Sequence, residues 1–262
     1  MKSPSAARAL LFLCSARISA AFTASPPISS PSSRDVASAP SAVAKDPAPR
    51  TAFVLSPRPP ASTALRAGGD TDDELPTFET EEEYLEYMAG ASALPAGFAS
   101  GTASGTFVSV EAPAMGDLPI KGTVIYLTDG PTDSWAAVFT KNKFPGSPII
   151  VGKARLASGG PIQAIVVNNK VSNVCAGGDG EADAEVVCDA VAAALNIEGG
   201  GEHVLPSSTG VIGWRLPAKE LAEDVVPKAV DALQTESALS AARDIMTTDR
   251  YPKLRSKTLS NG

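Results

Sequence analysis

Two short apolar runs, Ile149–Val151 and Ala164–Val167, do most to limit the architectures open to this chain. Neither alternates apolar with polar residues, so each reads as a strand buried on both faces. A strand of that kind needs cover on each side, and helical patterns lie between and after the runs. Asp179 can cap a helix whose first turn carries Glu181 and Asp183, an arrangement that suits the positive end of the helix dipole. Val186, Val187, Val191, Ala194 and Leu195 give that helix an apolar face, and the Gly199–Gly201 run ends it. His203–Leu205 reads as a short strand, and helices are expected over Ala218–Leu233 and Ala238–Met246. The pattern predicts a layered α/β domain, an α+β sandwich rather than a helix bundle, with no repeat at solenoid spacing.

Upstream of the two runs, Thr80 followed by Glu83 has the spacing of a capping box, and Tyr84, Leu85 and Met88 form an apolar stripe. A helix near residues 80–90 follows from them. Gly90–Gly101 reads as a loop, with Gly97, Gly101 and Gly105 making a flexible approach to the first strand. Thr106–Val110 and Thr123–Leu127 are strand-like, with a turn at Asp117-Leu-Pro, and a third strand is expected at Trp135–Thr140. These three would form an antiparallel meander.

Charge divides the chain. Residues 1–67 hold 8 Lys/Arg and 2 Asp/Glu, which leaves 14 of the 22 basic and 27 of the 29 acidic residues for the remainder. An acidic body without a basic, aromatic-interleaved patch argues against a nucleic-acid partner. Asp70–Glu86 contains nine acids and no base, and such a run is expected to be a solvated leader. Lys2 and Arg8 precede the apolar run Ala9–Cys14, and small residues follow at Ser19–Ala21, the layout of a signal peptide too short to span a bilayer. Phe22 opens a Ser-, Pro-, Ala- and Arg-bearing stretch to Ala67 with transit-peptide composition. The order resembles the bipartite plastid presequence of algae with secondary plastids, with the mitochondrion as the alternative destination. The expected organisation is a targeting presequence over 1–67, an acidic leader with a short helix over 68–93 and one domain over 94–262, with no membrane association in the mature form. Beyond the leader only Cys175 and Cys188 remain, too few for a disulfide scaffold, and both are expected to pack as small apolar residues.

Candidate chemistry is confined to a few clusters. His203 is the only histidine, so no metal site is expected from it and a structural role is the plainer reading. The acids of Gly177–Asp183 lack the spacing of an EF-hand and fit helix capping better. Asn168-Asn-Lys-Val-Ser-Asn173 follows a buried strand, where amides and an ammonium can serve a site or simply form a polar turn. Ser207-Ser-Thr209-Gly210 offers Thr209 Oγ1 and the Gly210 amide as donors to a developing oxyanion, or an ordinary turn. Met246-Thr247-Thr248-Asp249 after a helix has the same two readings, substrate contact or local bonding to free carbonyls.

Four motifs occur in order and at compatible spacing: Phe139-Thr-Lys-Asn142; Ala164-Ile-Val-Val-Asn168; Ser208-Thr-Gly-Val-Ile-Gly213 with Leu216-Pro217; and Ile245-Met-Thr-Thr-Asp249 with Pro252-Lys253. Together they resemble the ArgJ family of glutamate/ornithine N-acetyltransferases over roughly Leu94–Lys253. The resemblance implies a DmpA/ArgJ-like fold that is incomplete without a β chain. It implies a precursor that cleaves itself before a threonine, whose new N-terminus carries acetyl from N-acetylornithine to glutamate by ping-pong exchange. Within that pattern Thr209 and Gly210 form the oxyanion hole, Thr247 and Thr248 lie at the substrate site, and an αβ hetero-oligomer is expected. No cofactor is implied, although acetyl-CoA serves some members as acetyl donor. Two departures stand out. Many members read Asn-Ser-Gly-Asn-Ala-Asn where this chain has Asn168-Asn-Lys-Val-Ser-Asn173, and the family's Lys-Gly-Ser-Gly-Met-Ile segment with its nucleophilic threonine is not found in this sequence. The expectation is therefore most of an α chain whose nucleophile comes from elsewhere, in plastid arginine biosynthesis. A non-catalytic binding or assembly subunit and a related N-terminal-nucleophile hydrolase are the alternatives.

Overall fold

The structure, a computed structural model, describes residues 76–256. The expected presequence, and with it the signal and transit segments, lies outside the described residues. Helix α1 (Glu81–Gly90) starts where the capping box places it: the Glu83 N–H donates to Thr80 Oγ1 at 3.2 Å, and the Thr80 N–H donates to Glu83 Oε2 at 3.4 Å. Two orphan amides of the first turn are satisfied in this way.

Four strands form one sheet: β1 (Phe98–Val108), β2 (Asp117–Leu127), β3 (Ala164–Asn168) and β4 (Val204–Ser208), in that spatial order. The first two neighbours are antiparallel and β3–β4 is parallel. The run Ala164–Val167 lies in an interior strand, as its continuous apolar pattern predicts, with Ala164, Val166 and Val167 buried.

β1 begins eight residues before the expected Thr106, so Gly101 and Gly105 lie in strand and not in a flexible approach. The reason is close packing from far along the chain. A Cβ on Gly101 would stand 2.0 Å from the Ala229 carbonyl oxygen, and Cβ atoms on Gly105 and Gly122 would each stand 2.7 Å from a Val225 methyl. Gly101, Ala103 and Gly105 share one face of β1, and Gly122 lies opposite Ala103, so together they make a saddle of small residues. Into it sits a nearly continuous helical segment: α4 (Ala218–Glu220), a π-helical turn over Leu221–Val225, and α5 (Val226–Asp231). Leu221, Val225, Val226 and Ala229 are buried there. Each branched side chain of that set contributes about 1.5–3 kcal/mol by leaving water. The turn between β1 and β2 is a 3₁₀ turn at Pro113–Met115, and Asp117-Leu-Pro, expected to turn, opens β2 instead.

Two more expectations are corrected. Ile149–Val151 is not a strand but part of helix α2 (Ser147–Ser158), in which Pro148, Val151, Gly152 and Arg155 are buried at helical spacing while Ile150 is exposed. Three apolar residues do not distinguish the two periods, and Pro148 at the first turn favours the helix. Trp135–Thr140 is irregular, and β3 takes the third place in the meander. That segment is held from outside: Trp135 Nε1 donates to the Gly160 carbonyl at 2.9 Å, and the Phe139 ring lies over Gly152.

Helix α3 (Gly180–Leu195) begins at Asp179, whose Oδ1 accepts from the Ala182 N–H at 3.0 Å. Its buried face holds Val187, Cys188, Val191 and Ala192, whereas Val186 and Ala194, placed on that face from sequence, are exposed. The helix ends at Asn196 in the left-handed conformation, before the glycine run expected to stop it. Burial beside Glu185 and Asp189 pushes the Cys188 thiol up to about 12, against the opposing pull of Arg155. Cys175 is exposed, so the expected apolar packing applies to Cys188 alone. The last described helix is α6 (Leu239–Asp244). Lys121, which points to the side of β2 opposite Gly122, pairs with Asp244 of α6 at 2.9 Å. Helices therefore lie on both faces of the sheet, the layered arrangement that the sequence predicts.

Candidate functional site

Because β3 and β4 are parallel, their C-terminal ends emerge together, the usual location of a site in α/β sheets. Asn168 closes β3 and Ser208 closes β4, side by side in register. The Ser208 hydroxyl and Asn168 Oδ1 are 2.6 Å apart, and Asn168 Nδ2 donates to the Asn169 and Val171 carbonyls at 3.0 and 2.8 Å. The side chain of Asn168, 4% exposed, thus braces the turn that follows its own strand.

Both candidate motifs depart from the Asn168-Asn169 pair. On one side the Thr209 N–H donates to the Asn168 carbonyl at 3.0 Å, extending the strand pairing by one residue. Pairing then continues between the two loops, through Val211 N–H to the Lys170 carbonyl at 2.8 Å and Gly213 N–H to the Val174 carbonyl at 2.8 Å. Gly210 lies between these bonds at φ 134°, and a Cβ there would stand 2.2 Å from the Lys170 carbonyl carbon and oxygen. Only glycine fits that conformation and that space. Among the described residues, Thr209 Oγ1 and the Gly210 N–H have no hydrogen-bond partner, so two donors at the strand end are free to face a ligand. Lys170 itself is left-handed, at φ 69°, a conformation that costs a non-glycine residue about 1 kcal/mol.

On the other side, Asn169 Nδ2 donates to the Met246 carbonyl at 3.2 Å, and the next residues are Thr247 and Thr248. These two threonines are exposed. The far end of their segment is also anchored, because Tyr84 of α1 donates to the Pro252 carbonyl at 2.5 Å and its ring packs edge-on against Tyr251. Lys253, just past the second anchor, pairs with Asp249 and holds the Asp249 carboxyl below its usual range. The structure therefore brings both predicted motifs to one end of the sheet through two consecutive asparagines. The post-strand asparagines are visible in the sequence, but nothing there marks Lys121 and Asp244, and Tyr84 reads only as part of an apolar helix stripe, since these residues lie 48 to 168 residues from what they hold.

The other clusters are structural. Asp183, in the acidic run, is paired with Arg215 through two hydrogen bonds of 3.0 and 3.1 Å. His203 sits in a 3₁₀ turn, Gly200–His203, with its ring against Gly199. Phe139-Thr-Lys-Asn142 forms local turns in which Thr140 Oγ1 accepts from the Asn142 N–H and Asn142 Oδ1 from the Phe144 N–H. No group of three or more His, Cys, Asp or Glu side chains suited to a metal occurs among the described residues.

A layered α/β domain with free donors at paired strand ends is the class of protein that this geometry defines. The ArgJ family model matches residues 118–262, more than half of the chain. The arginine biosynthesis bifunctional protein ArgJ of Nitratidesulfovibrio vulgaris is 32% identical over 169 residues, which cover 64% of this chain and 40% of that protein. The mitochondrial protein of the same name from Podospora anserina is 36% identical over 179 residues, covering 67% and 36%. Among solved structures, ornithine acetyltransferase complexed with ornithine from Mycobacterium tuberculosis matches with a TM-score of 0.51 and 32% identity, over 62% of this chain and 82% of that one. The chain belongs to the ArgJ family. It spans 36–40% of the length of these two curated relatives.

Proposed function

We propose that this chain carries the oxyanion and substrate loops of a glutamate N-acetyltransferase of arginine biosynthesis. The single observation behind the reading is that Thr209 Oγ1 and the Gly210 N–H have no hydrogen-bond partner among the described residues at the end of β4, while the neighbouring end of β3 tethers the segment before Thr247-Thr248 through Asn169. The relatives' names supply the pathway, and the Mycobacterium protein, named for its complex with ornithine, supplies the substrate class.

In this reading a threonine N-terminus, from the part of the family's length that this chain does not span, is the nucleophile. Its hydroxyl attacks the acetyl carbonyl of N-acetylornithine, and its α-amino group takes the hydroxyl proton. The carbonyl oxygen becomes an alkoxide held by Thr209 Oγ1 and the Gly210 N–H. Collapse breaks the C–N bond, ornithine leaves with the proton, and an acetyl ester remains on the threonine. The amine of glutamate then attacks the ester, and the reverse proton path regenerates the threonine. Thr247 and Thr248 contact the amino-acid portion of the substrate. The partner in this scheme is a β chain in an αβ hetero-oligomer, and no cofactor is required, with acetyl-CoA as an alternative acetyl donor.

Organelle import belongs to the same proposal. The basic, acid-poor composition of residues 1–67 supports it, and the names of the Podospora and Talaromyces marneffei relatives support the mitochondrion. The plastid reading rests on the leader's composition.

Incubating the purified protein with N-acetylornithine and labelled glutamate tests the reaction. Ornithine and N-acetylglutamate formed in equal amounts support it. Release of free acetate assigns a hydrolase, and no turnover with the β segment present assigns a binding subunit.

A further inference from the structure

Three of the hydrogen bonds of Asn169 tie it to two distant segments, and they form part of a ring. Its Oδ1 accepts from the Lys121 N–H at 2.9 Å, its own N–H donates to the Lys121 carbonyl at 3.1 Å, and its Nδ2 donates to the Met246 carbonyl at 3.2 Å. Lys121 returns to the same segment, because its ammonium pairs with Asp244, two residues before Met246. Asn169, Met246, Asp244 and Lys121 therefore form a closed circuit joining the end of β3, the middle of β2 and the C-terminal end of α6. Asp244 is mostly buried, and Lys121 lies at the edge of the solvent.

Asn169 is well suited to this task because a carboxamide presents one acceptor and two donors in a fixed plane. The Lys121 N–H holds the carboxamide oxygen and the Lys121 carbonyl holds the Asn169 main-chain N–H, which leaves the carboxamide nitrogen to donate to Met246. A carboxylate of the same shape would keep the acceptor toward Lys121 but turn a lone pair on the Met246 carbonyl. A serine at this position would be too short to satisfy both partners.

We propose that Asn169 is a positioning residue, which sets Thr247 and Thr248 in place against the Thr209–Gly210 donors through the Met246 carbonyl. The inference rests on the reading of Thr247-Thr248 as the substrate-contacting segment. It makes substrate affinity depend on a side chain that does not touch substrate. The Lys121–Asp244 pair acts as the weaker second arm, since a half-exposed ammonium is screened by water.

Amide hydrogen exchange of the full chain, with and without N-acetylornithine, tests the proposal on the wild type, Asn169→Asp and Lys121→Met. Asn169→Asp is expected to speed exchange over residues 245–249 while β3 and α3 keep their protection. It is also expected to raise the N-acetylornithine concentration that half-protects the segment by roughly tenfold, the scale of one lost hydrogen bond. Lys121→Met should give the same pattern at smaller amplitude. Unchanged exchange at 245–249 in Asn169→Asp, or faster exchange with an unchanged ligand midpoint, overturns the positioning role and leaves the substrate reading intact. Absence of any ligand-dependent protection in the wild type defeats that reading, and the inference falls with it.

Discussion

Thr209-Gly210 and Thr247-Thr248 offer similar hydroxyl chemistry from backbones held in opposite ways. The first pair is locked inside a double loop, with backbone bonds on both sides and a glycine pressed onto Lys170. The second pair lies exposed between two tethers, one at Met246 and one at Pro252. A group that must stabilise developing charge gains from rigidity, because preorganised donors need not reorient during the reaction. A group that admits substrate gains from a segment that opens at low cost, and exposed, lightly tethered backbone is the low-stability end of a fold.

That contrast can be broken at its rigid end first. Gly210→Ala forces a Cβ into the Lys170 carbonyl at a φ that alanine rarely adopts, and should cost about 3 kcal/mol or more of stability by chemical denaturation. Thr209→Val should leave stability within about 1 kcal/mol, since Thr209 Oγ1 has no partner among the described residues, yet lower kcat of the assembled enzyme by roughly 10²-fold. Thr247→Ala should do the converse, raising KM for N-acetylornithine about tenfold with the melting temperature unchanged, because the residue is exposed. If Thr247→Ala instead unfolds the segment, the division between rigid and yielding regions is wrong.

Two smaller effects sharpen the same division. Lys170→Gly relieves left-handed strain but loosens the unfolded chain, so a net stabilisation of up to about 1 kcal/mol is expected, read as a higher denaturant midpoint. The smallest effect is at Asp249, whose carboxyl is held low by Lys253. Its contribution is fully present above the ordinary aspartate range and is lost as pH falls through the depressed folded value. Loosening of residues 247–252 should therefore show by hydrogen exchange only in acid below about pH 4, and Lys253→Met should remove that pH dependence.

Local chemistry wrote the parts of the fold that need only neighbouring residues. Thr80 with Glu83 starts α1, Asp179 starts α3, and the unbroken apolar run of β3 marks an interior strand. The site was half visible in the same way, because hydroxyls and glycine after a strand are themselves a chemical signal. Ile149–Val151 was misread because three apolar residues carry neither period, and only burial of Val151 and Arg155 on one side shows a helix. The glycines of β1 were misread because their purpose lies more than a hundred residues away, in Val225 and Ala229.

The sequence by itself determined the layered α/β class, the capped starts of α1 and α3, and the two hydroxyl motifs, since propensity and capping act within a few residues. The tertiary structure alone decided that Gly101, Gly105 and Gly122 form a seat for a helix, that Trp135–Thr140 stays out of the sheet, and that Asn169 joins β2 to the segment after α6. Those outcomes depend on contacts between residues far apart in the chain, whose geometry exists only once the layers have packed.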